Sequence, residues 1–327
     1  LIMKLIGFDI GGTKCATILG ETDASGQVNI VEKIVFPTKK GPEASLTAIY
    51  SSTEELLHKN GLQPSQIAGI GISCGGPFDS RNGLIPSPPN LPGWDNVPIV
   101  EMTEKRLGIK AFVQNDANAC AMAEWKYGAG KGYDNVVFFT FGTGMGAGLI
   151  LDGRLYSGTC DLAGEVGHLR LSGHGPVGFG KEGSFEGWCS GGGIAQVGQT
   201  MARQRIQKGA KTAYCGRLDE LPAEPAKSIA EAAYAGDETA REVYRTVASY
   251  LGRGLALIID VLNPEVIILG SIFGRSRDLI EPYMLEVVHR EAIGFSAAKC
   301  RIVPAGLGEH IGDMAALVLA VEASKKP

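Results

Sequence analysis

Two glycine-rich loops carry the residues best suited to phosphate chemistry. The first reads Asp9-Ile10-Gly11-Gly12-Thr13-Lys14. Glycine reaches backbone angles closed to other residues and lets amide N–H groups approach an anion. Thr13 adds a hydroxyl donor and Lys14 a positive charge, and Asp9 could hold Mg²⁺ directly or through water. An ordinary tight hairpin is the competing reading of a bare Gly-Gly turn; the acid before it and the Thr-Lys pair after it point to phosphate. The second loop is Gly142-Thr143-Gly144-Met145-Gly146-Ala147-Gly148. It superficially suggests a dinucleotide fingerprint, but a fingerprint needs a helix after its glycines. Here Leu149-Ile150-Leu151-Asp152-Gly153 follows, which reads as a strand and a turn. No G-x-x-x-x-G-K-[ST] occurs, which excludes the P-loop class. Two strand–turn–strand loops remain that could hold a polyphosphate between them.

A third feature is Asp116, between a β-like segment at 111–114 and a helix-like one at 117–127. A carboxylate there could take the proton of a hydroxyl attacking phosphorus. It could equally cap the helix, and the residues alone leave both readings open.

The elements that must position these groups alternate along the chain. Strands are expected at 4–10, 15–21, 28–36 and 67–74, with a helix at 42–60. Residues 77–98 carry six prolines and read as a long irregular loop, a length that usually signals function. Strands at 135–141 and 147–151 flank the second glycine loop, and 157–193 is again irregular. The second half turns helical, at 194–208, 228–235 and 238–262, where Asn263-Pro264 stops the last helix. A strand at 266–269, a helix at 279–290, a strand at 300–303 and a helix at 311–323 close the chain. The segments 8–13 and 139–144 share one form, strand then glycine turn, which suggests a duplicated α/β architecture.

Composition excludes several classes. With 327 residues, 44% hydrophobic and 20% charged, the chain is a folded globular protein of about two domains. Glycine is the outlier at 46 residues, about twice its usual share. A net charge of −4 argues against a nucleic-acid binder. No apolar run approaches the ~20 residues of a membrane helix, and Leu1-Ile2-Met3-Lys4 is too short for a secretory signal. Seven scattered cysteines with no C-x-x-C fit reduced thiols, so a cytoplasmic protein is expected.

The motifs taken together resemble the ROK family of sugar kinases and repressors. The resemblance rests on the Asp9–Lys14 loop, Asn90-Leu91-Pro92-Gly93-Trp94, Asn115-Asp116-Ala117-Asn118, the Gly142–Gly148 loop, Gly164-Glu165-Val166-Gly167-His168, residues 233–237 and Asn263-Pro264-Glu265. It covers nearly the whole chain. It implies an α/β, two-lobed ribonuclease-H-like fold of the actin, hexokinase and Hsp70 superfamily, with a cleft between lobes. A smaller lobe is expected from 1–117 plus 304–327 and a larger one from 118–303. It implies ATP with Mg²⁺, Asp116 as catalytic base, and Asn115, Glu165, His168 and Glu186 on the sugar ring. Asn90 and Gly76 are further sugar candidates. Asp9, Gly11, Gly12, Thr13, Lys14, Gly142, Thr143, Gly144, Gly270 and Ser271 are expected on the nucleotide, with Asp9 reaching Mg²⁺ through water. Trp94 either walls the sugar or packs its own loop, and His174 reads as a surface residue.

Two departures from the family pattern matter. Most members follow the histidine with C-x-C-G-x-x-G-C-x-E, whose cysteines bind a structural zinc together with that histidine. Here the run is Val177-Gly178-Phe179-Gly180-Lys181-Glu182-Gly183-Ser184-Phe185-Glu186. Zinc cannot be held by His168 without thiolates, so no zinc is expected. Val177 and Phe179 are expected to fill the vacancy with apolar packing, leaving His168 for the sugar. The second departure is Gly270-Ser271-Ile272-Phe273-Gly274, where the family has consecutive glycines beside the adenosine; the added bulk bears on nucleotide binding.

The expected activity is phosphorylation of a hexose or N-acetylhexosamine, at the 6-hydroxyl. A polyphosphate-dependent kinase and a sugar-binding protein without catalysis are the rivals. A repressor is not expected, because Asp9 stands too near the first residue for a preceding helix-turn-helix. Neither nucleic acid nor membrane is expected as a partner, and a homodimer or homotetramer is.

Overall fold

The computed structural model describes residues 2–220 and 225–326. The chain begins with β1 (Lys4–Ile10), β2 (Lys14–Thr22), β3 (Val28–Pro37), α1 (Pro42–Lys59), β4 (Ile67–Cys74), α2 (Ile99–Leu107), β5 (Ala111–Asn115) and α3 (Asp116–Tyr127). It continues through β6 (Val136–Phe141), β7 (Met145–Leu151), β8 (Arg154–Leu155), β9 (Val177–Gly178), β10 (Lys181–Glu182), α4 (Phe185–Cys189), α5 (Gly191–Gln207), α6 (Ala226–Tyr234) and α7 (Glu238–Leu262). β11 (Val266–Leu269), α8 (Ile272–Arg275), α9 (Arg277–Glu291), α10 (Gly294–Ala297), β12 (Arg301–Pro304) and α11 (Ile311–Ser324) complete it.

Two units are resolved. The first holds residues up to Gly132, Gly148–Ala163 and the chain from Gly306; the second holds Tyr133–Ala147 and Gly164–Ala305. One five-stranded sheet has the order β3-β2-β1-β4-β5, with β1–β2 and β2–β3 antiparallel and β1–β4 and β4–β5 parallel. The other has the order β8-β7-β6-β11-β12, with β6–β11 and β11–β12 parallel. Numbered within itself, each sheet runs 3-2-1-4-5. This is the α/β architecture of the actin, hexokinase and Hsp70 superfamily that the resemblance implies.

In the first unit, helix α11 lies directly on backbone. Side chains alternate along a strand, and the residues of β1, β2 and β4 that face α11 include Gly7, Gly20, Gly69 and Gly71. Gly7 and Gly71 are register partners. A Cβ on Gly71 would overlap the Ala316 carbonyl, and one on Gly7 would lie 2.8 Å from Ala316 Cβ. The opposite faces carry Ile6, Phe8, Ile70 and Ile72, fully buried in a core with Leu46 and Ile49 of α1. The end of α3 is tied to the segment before α11 by Glu124. Its buried carboxylate accepts N–H bonds from Ala129 (2.7 Å), Gly306 (3.0 Å) and Leu307 (2.8 Å).

The expected long loop at 77–98 is present but internally braced. Isolated bridges join Asp79 to Leu84 and Ile85 to Val97. The Asp161 carboxylate accepts from the Ser80 N–H (2.8 Å) and hydroxyl (2.9 Å). Trp94 is buried with Phe78, Leu91 and Val97, so it packs its own loop. Besides the short elements β8, β9, β10, α4, α8 and α10, one longer helix was not expected: α2, stopped by the left-handed Gly108. Pro98 before it and Gly108 after it are helix punctuation that the proline-rich context obscured.

Gly71→Ala is expected to cost about 3 kcal/mol or more, because neither Ala316 backbone nor strand can yield. Gly26→Ala, in an open turn at φ +83, costs only about 1–2 kcal/mol. Denaturant unfolding of the two variants checks this; equal losses would show that the α11 contact is not close-packed.

Candidate active site

In the first unit the strand ends converge with one helix start. Asp9 faces the same side of β1 as Gly7. Because α11 packs on Gly7, its first turn begins beneath Asp9: a Cβ on Gly312 would lie 3.3 Å from Asp9 Oδ2. The next residue, Asp313, is buried and accepts an ion-paired hydrogen bond from Lys33 Nζ at 2.6 Å. Burial raises the Asp9 carboxyl to about 6, with the charges of Asp313 and Asp116 adding to it and those of Lys33 and Lys14 opposing. Excess negative charge at one carboxylate suits a divalent cation.

The Gly11–Lys14 turn closes with the Gly11 N–H donating to Lys14 O at 3.0 Å. Thr38 steadies it, donating its hydroxyl to Gly11 O (2.6 Å) and its N–H to Thr13 O (3.0 Å). Asn90 joins this turn to the end of β4. A Cβ on Gly12 would lie 2.6 Å from Asn90 O, and one on Gly75 would lie 3.1 Å from Asn90 Nδ2. Gly76 follows, in a cis peptide with Pro77.

Asp116 occupies the first turn of α3, and the helix cap is Asn115, whose Oδ1 accepts the Asn118 N–H at 2.7 Å. The capping role considered for Asp116 therefore belongs to its neighbour. Asp116 is exposed, and its Oδ1 accepts the Ala117 N–H at 2.8 Å, which orients the carboxylate. Gln114 Oε1 accepts from the Asn115 N–H (2.8 Å) and from Asn118 Nδ2 (3.2 Å), locking the β5–α3 junction.

In the second unit the Gly142–Gly144 turn packs on Glu186 of α4. Glu186 Oε2 accepts the Met145 N–H at 3.0 Å, and a Cβ on Gly144 would lie 3.1 Å from that oxygen. Glu165 starts the 3-10 turn Val166–His168. This turn is pressed onto β7: a Cβ on Gly164 would overlap the Ala147 carbonyl, and one on Gly167 the Met145 carbonyl. The structure thus brings Glu165, His168 and Glu186 to the β7 end of one loop cluster. His168 is half-buried and meets the Phe179 ring edge-on, centroids 5.1 Å apart. Against expectation, neither Val177 nor Phe179 is packed away; the two residues are 47% and 69% exposed. His174 lies on the surface, 3.8 Å from Glu182.

A cavity of about 930 Å³ in the second unit joins Gly142 and Thr143 to Ser271. Its apolar walls include Ala195, Ala226, Ala230, Tyr244 and Ile272. Gly144 and Gly270 are not among its lining residues. Ser271 holds φ +32, a value glycine would take without strain. The N-terminus of α5 also opens here through Gly191 and Gly192, with Ser190 as cap accepting the Gly193 N–H at 3.1 Å. These residues were missed from the sequence, although Ser-Gly-Gly-Gly before an apolar-periodic helix is an available signal for a helix start that can approach an anion.

The comparisons with known proteins agree on the family, and the matches include a repressor as well as kinases: a xylose repressor of Caldicellulosiruptor bescii is 28% identical over 292 residues, covering 88% of this chain and 71% of its own. A family model described as the ROK family matches residues 5–323. A glucokinase of Streptomyces coelicolor is 32% identical over 324 residues, covering 98% of this chain and 98% of its own. An N-acetylmannosamine kinase of Escherichia fergusonii is 31% identical over 288 residues, covering 87% and 89%. The crystal structure of a ROK family glucokinase from Streptomyces griseus, in complex with glucose and AMPPNP, matches with a TM-score of 0.77 at 29% identity, covering 98% of this chain and 99% of that one.

The Asp9 carboxyl binds its proton more tightly folded (about 6) than unfolded (3.8). Between those values the folded state holds the extra proton, so stability falls as pH rises through that window. Without Mg²⁺ or nucleotide, Asp9→Asn is expected to melt higher than wild type at pH 7.5 and close to it at pH 4. A gap that stays constant across this range in thermal melts would overturn the assignment.

Proposed function

The chain belongs to the ROK family and works as a sugar kinase, and on that premise we propose that it transfers the γ-phosphoryl of ATP to the 6-hydroxyl of a hexose or N-acetylhexosamine, with Asp116 as general base. The observation that carries the choice of donor is the cavity of about 930 Å³. Its alanine, tyrosine and isoleucine walls suit a purine and ribose, which a polyphosphate donor lacks. Thr143 and the α5 N-terminus, on the same cavity, offer donors to phosphate.

Each residue then has a defined task. Asp116, oriented by the Ala117 N–H, accepts the sugar hydroxyl's proton as the oxygen attacks phosphorus. Asn115 keeps its Nδ2 group for the sugar while its Oδ1 caps α3. Glu165, His168 and Glu186 supply the mixed donors and acceptors that ring hydroxyls require. Asn90 lies against both Gly12 and Gly75, and Gly76 follows Gly75 at the end of β4. Gly12, Thr13 and Lys14 present backbone, hydroxyl and ammonium donors to phosphate oxygens on a turn that the Gly11 N–H closes, with Gly142, Thr143 and Ser271 on the nucleotide.

Mg²⁺ fits the donor set at Asp9. Among the described residues no three His, Cys, Asp or Glu side chains are grouped to cage a metal ion. Mg²⁺ needs no such cage: it keeps several waters and takes one or two carboxylates plus phosphate oxygens. Bound there, it would neutralise phosphate charge.

ADP release with Mg²⁺–ATP, measured across glucose, mannose, fructose, N-acetylglucosamine and N-acetylmannosamine, tests this reading. One sugar should stand well above the rest, and Asp116→Ala should lower its kcat by about 10²–10⁴-fold while ATP still binds. An unchanged kcat would remove Asp116 from the chemistry.

The donor assignment has its own check. Ala230→Phe fills the cavity wall and is expected to raise the KM for ATP about tenfold, leaving the sugar KM unchanged. Faster turnover with polyphosphate than with ATP in wild type would reverse the assignment.

A further inference from the structure

The three positions where the family's zinc thiolates would stand are Val177, Phe179 and Ser184. Their donor set does not fit the metal. Only His168 could ligate; Val177 and Phe179 offer no donor atom, and the Ser184 hydroxyl already accepts the Gly187 N–H at 3.0 Å. Each of the three positions is instead engaged in holding one part of the proposed sugar site.

The β9–β10 hairpin is gripped at Val177. The Val177 N–H donates to Gln196 Oε1 and Gln196 Nε2 donates to Val177 O, both at 2.9 Å. One side-chain amide on α5 thus pairs with the strand backbone as a neighbouring strand would. Gly178 seats the hairpin on α4 so closely that a Cβ there would lie 2.9 Å from Glu186 Cβ. At the tip, Phe179 takes φ +43, an unfavourable angle for a bulky side chain, and its ring meets His168 edge-on at 5.1 Å and 80°. Although it makes this contact, Phe179 is 69% exposed, so burial does not account for it. Lys181 Nζ donates to the His168 carbonyl at 2.6 Å, fixing the backbone of the same residue. Ser184 caps α4, the helix that carries Glu186.

We propose, on the reading that His168 and Glu186 contact the sugar, that Val177, Phe179, Ser184 and Gln196 form a metal-free brace that positions those two side chains. The brace replaces a coordination bond to His168 by ring contact at one face and a backbone clamp at the hairpin base. Phe179 and Gln196 are therefore positioning residues: they act on the sugar through His168 and Glu186, as outer-sphere partners act on ligands at metal sites. A large side chain kept at a left-handed backbone position is the mark of that task, since glycine there would relieve the strain.

Kinetics with the most active sugar of the panel, together with thermal melts, separate this role from a structural one. Phe179→Gly is expected to raise the sugar KM about tenfold, with kcat and the KM for Mg²⁺–ATP within twofold. Its melting temperature should equal or exceed that of wild type. Phe179→Tyr, which keeps the ring, should restore the sugar KM. Gln196→Ala, on a half-exposed helix face, should raise the sugar KM severalfold in the same direction. The wild-type sugar KM should be unaffected by 1,10-phenanthroline, which strips zinc and spares Mg²⁺, and the purified protein should carry far less than one zinc per chain. His168→Ala is the control. If it raises the sugar KM while Phe179→Gly and Gln196→Ala do not, the brace is wrong and the sugar site stands. If His168→Ala itself changes nothing, the sugar reading of His168 fails and the brace with it. One equivalent of zinc, or loss of sugar affinity with phenanthroline, overturns the proposal directly.

Discussion

The first unit depends on the closeness with which α11 lies on the β1–β4 strands. Gly7, Gly69 and Gly71 present no Cβ to the helix, so strand backbone lies against the Ala316 and Ala320 backbone and the small side chains beside it. A helix seated that low has one place to begin. Its first turn falls at the end of β1, beneath the Asp9 carboxylate, with Gly312 again lacking a Cβ where Asp9 approaches. Glu124 then fixes the segment that leads into α11 by accepting the Gly306 and Leu307 N–H groups. Since Glu124 belongs to α3, the helix that starts at Asp116 and the helix that starts near Asp9 share one anchor. The glycines of this sheet therefore serve helix packing, and the carboxylate cluster is its consequence.

The second unit uses glycine in the same way for a different end. Gly164 and Gly167 lie against the Ala147 and Met145 carbonyls, which presses the turn carrying Glu165 and His168 onto β7. Glu186 reaches the same strand by accepting the Met145 N–H. One strand thus organises polar side chains from two separate stretches of sequence, Glu165 and His168 from one and Glu186 from the other. Backbone-to-backbone contact is rigid in a way that side-chain packing is not, because neither partner has a rotamer to change. That rigidity suits the proposed sugar site, whose groups would meet several hydroxyls at once.

Much of this was legible in the sequence, and the boundary has a physical cause. Short apolar runs such as 67–74 and 266–269 read directly as strands because burial on both faces leaves no polar alternation. The phosphate loops read from local residue types. By contrast, the choice between base and cap at Asp116 could not be made from spacing, since Asn115 and Asp116 are both good caps and only the start of the helix decides. The cavity at Ser271 was half visible, through Gly142 and Thr143, but Tyr244 and Ala230 reach it from helices distant in sequence. Helix α2 was lost beside the prolines of the preceding loop. The missing cysteines announced that the 177–184 run differs, yet Gln196, which grips Val177, carries no signal of its own. A polar residue one turn into a helix is ordinary until the strand it pairs with is known.

The charge arrangement in the first unit explains why such a site is built at a cost. Burial disfavours the charged form of Asp9, and the charges of Asp313 and Asp116 add to the effect. Lys33 answers Asp313 with an ion pair, so the nearest neutralising charge is already engaged. What remains uncompensated is the carboxylate at the strand end, beside the glycine turn whose hydroxyl and ammonium groups suit phosphate. A cation bridging carboxylate and phosphate would relieve both excesses together, and whatever binds the folded state alone stabilises it. The unliganded protein therefore holds its carboxylates in an arrangement that a cation would make more favourable, a compromise between stability and function expected of groups poised to bind.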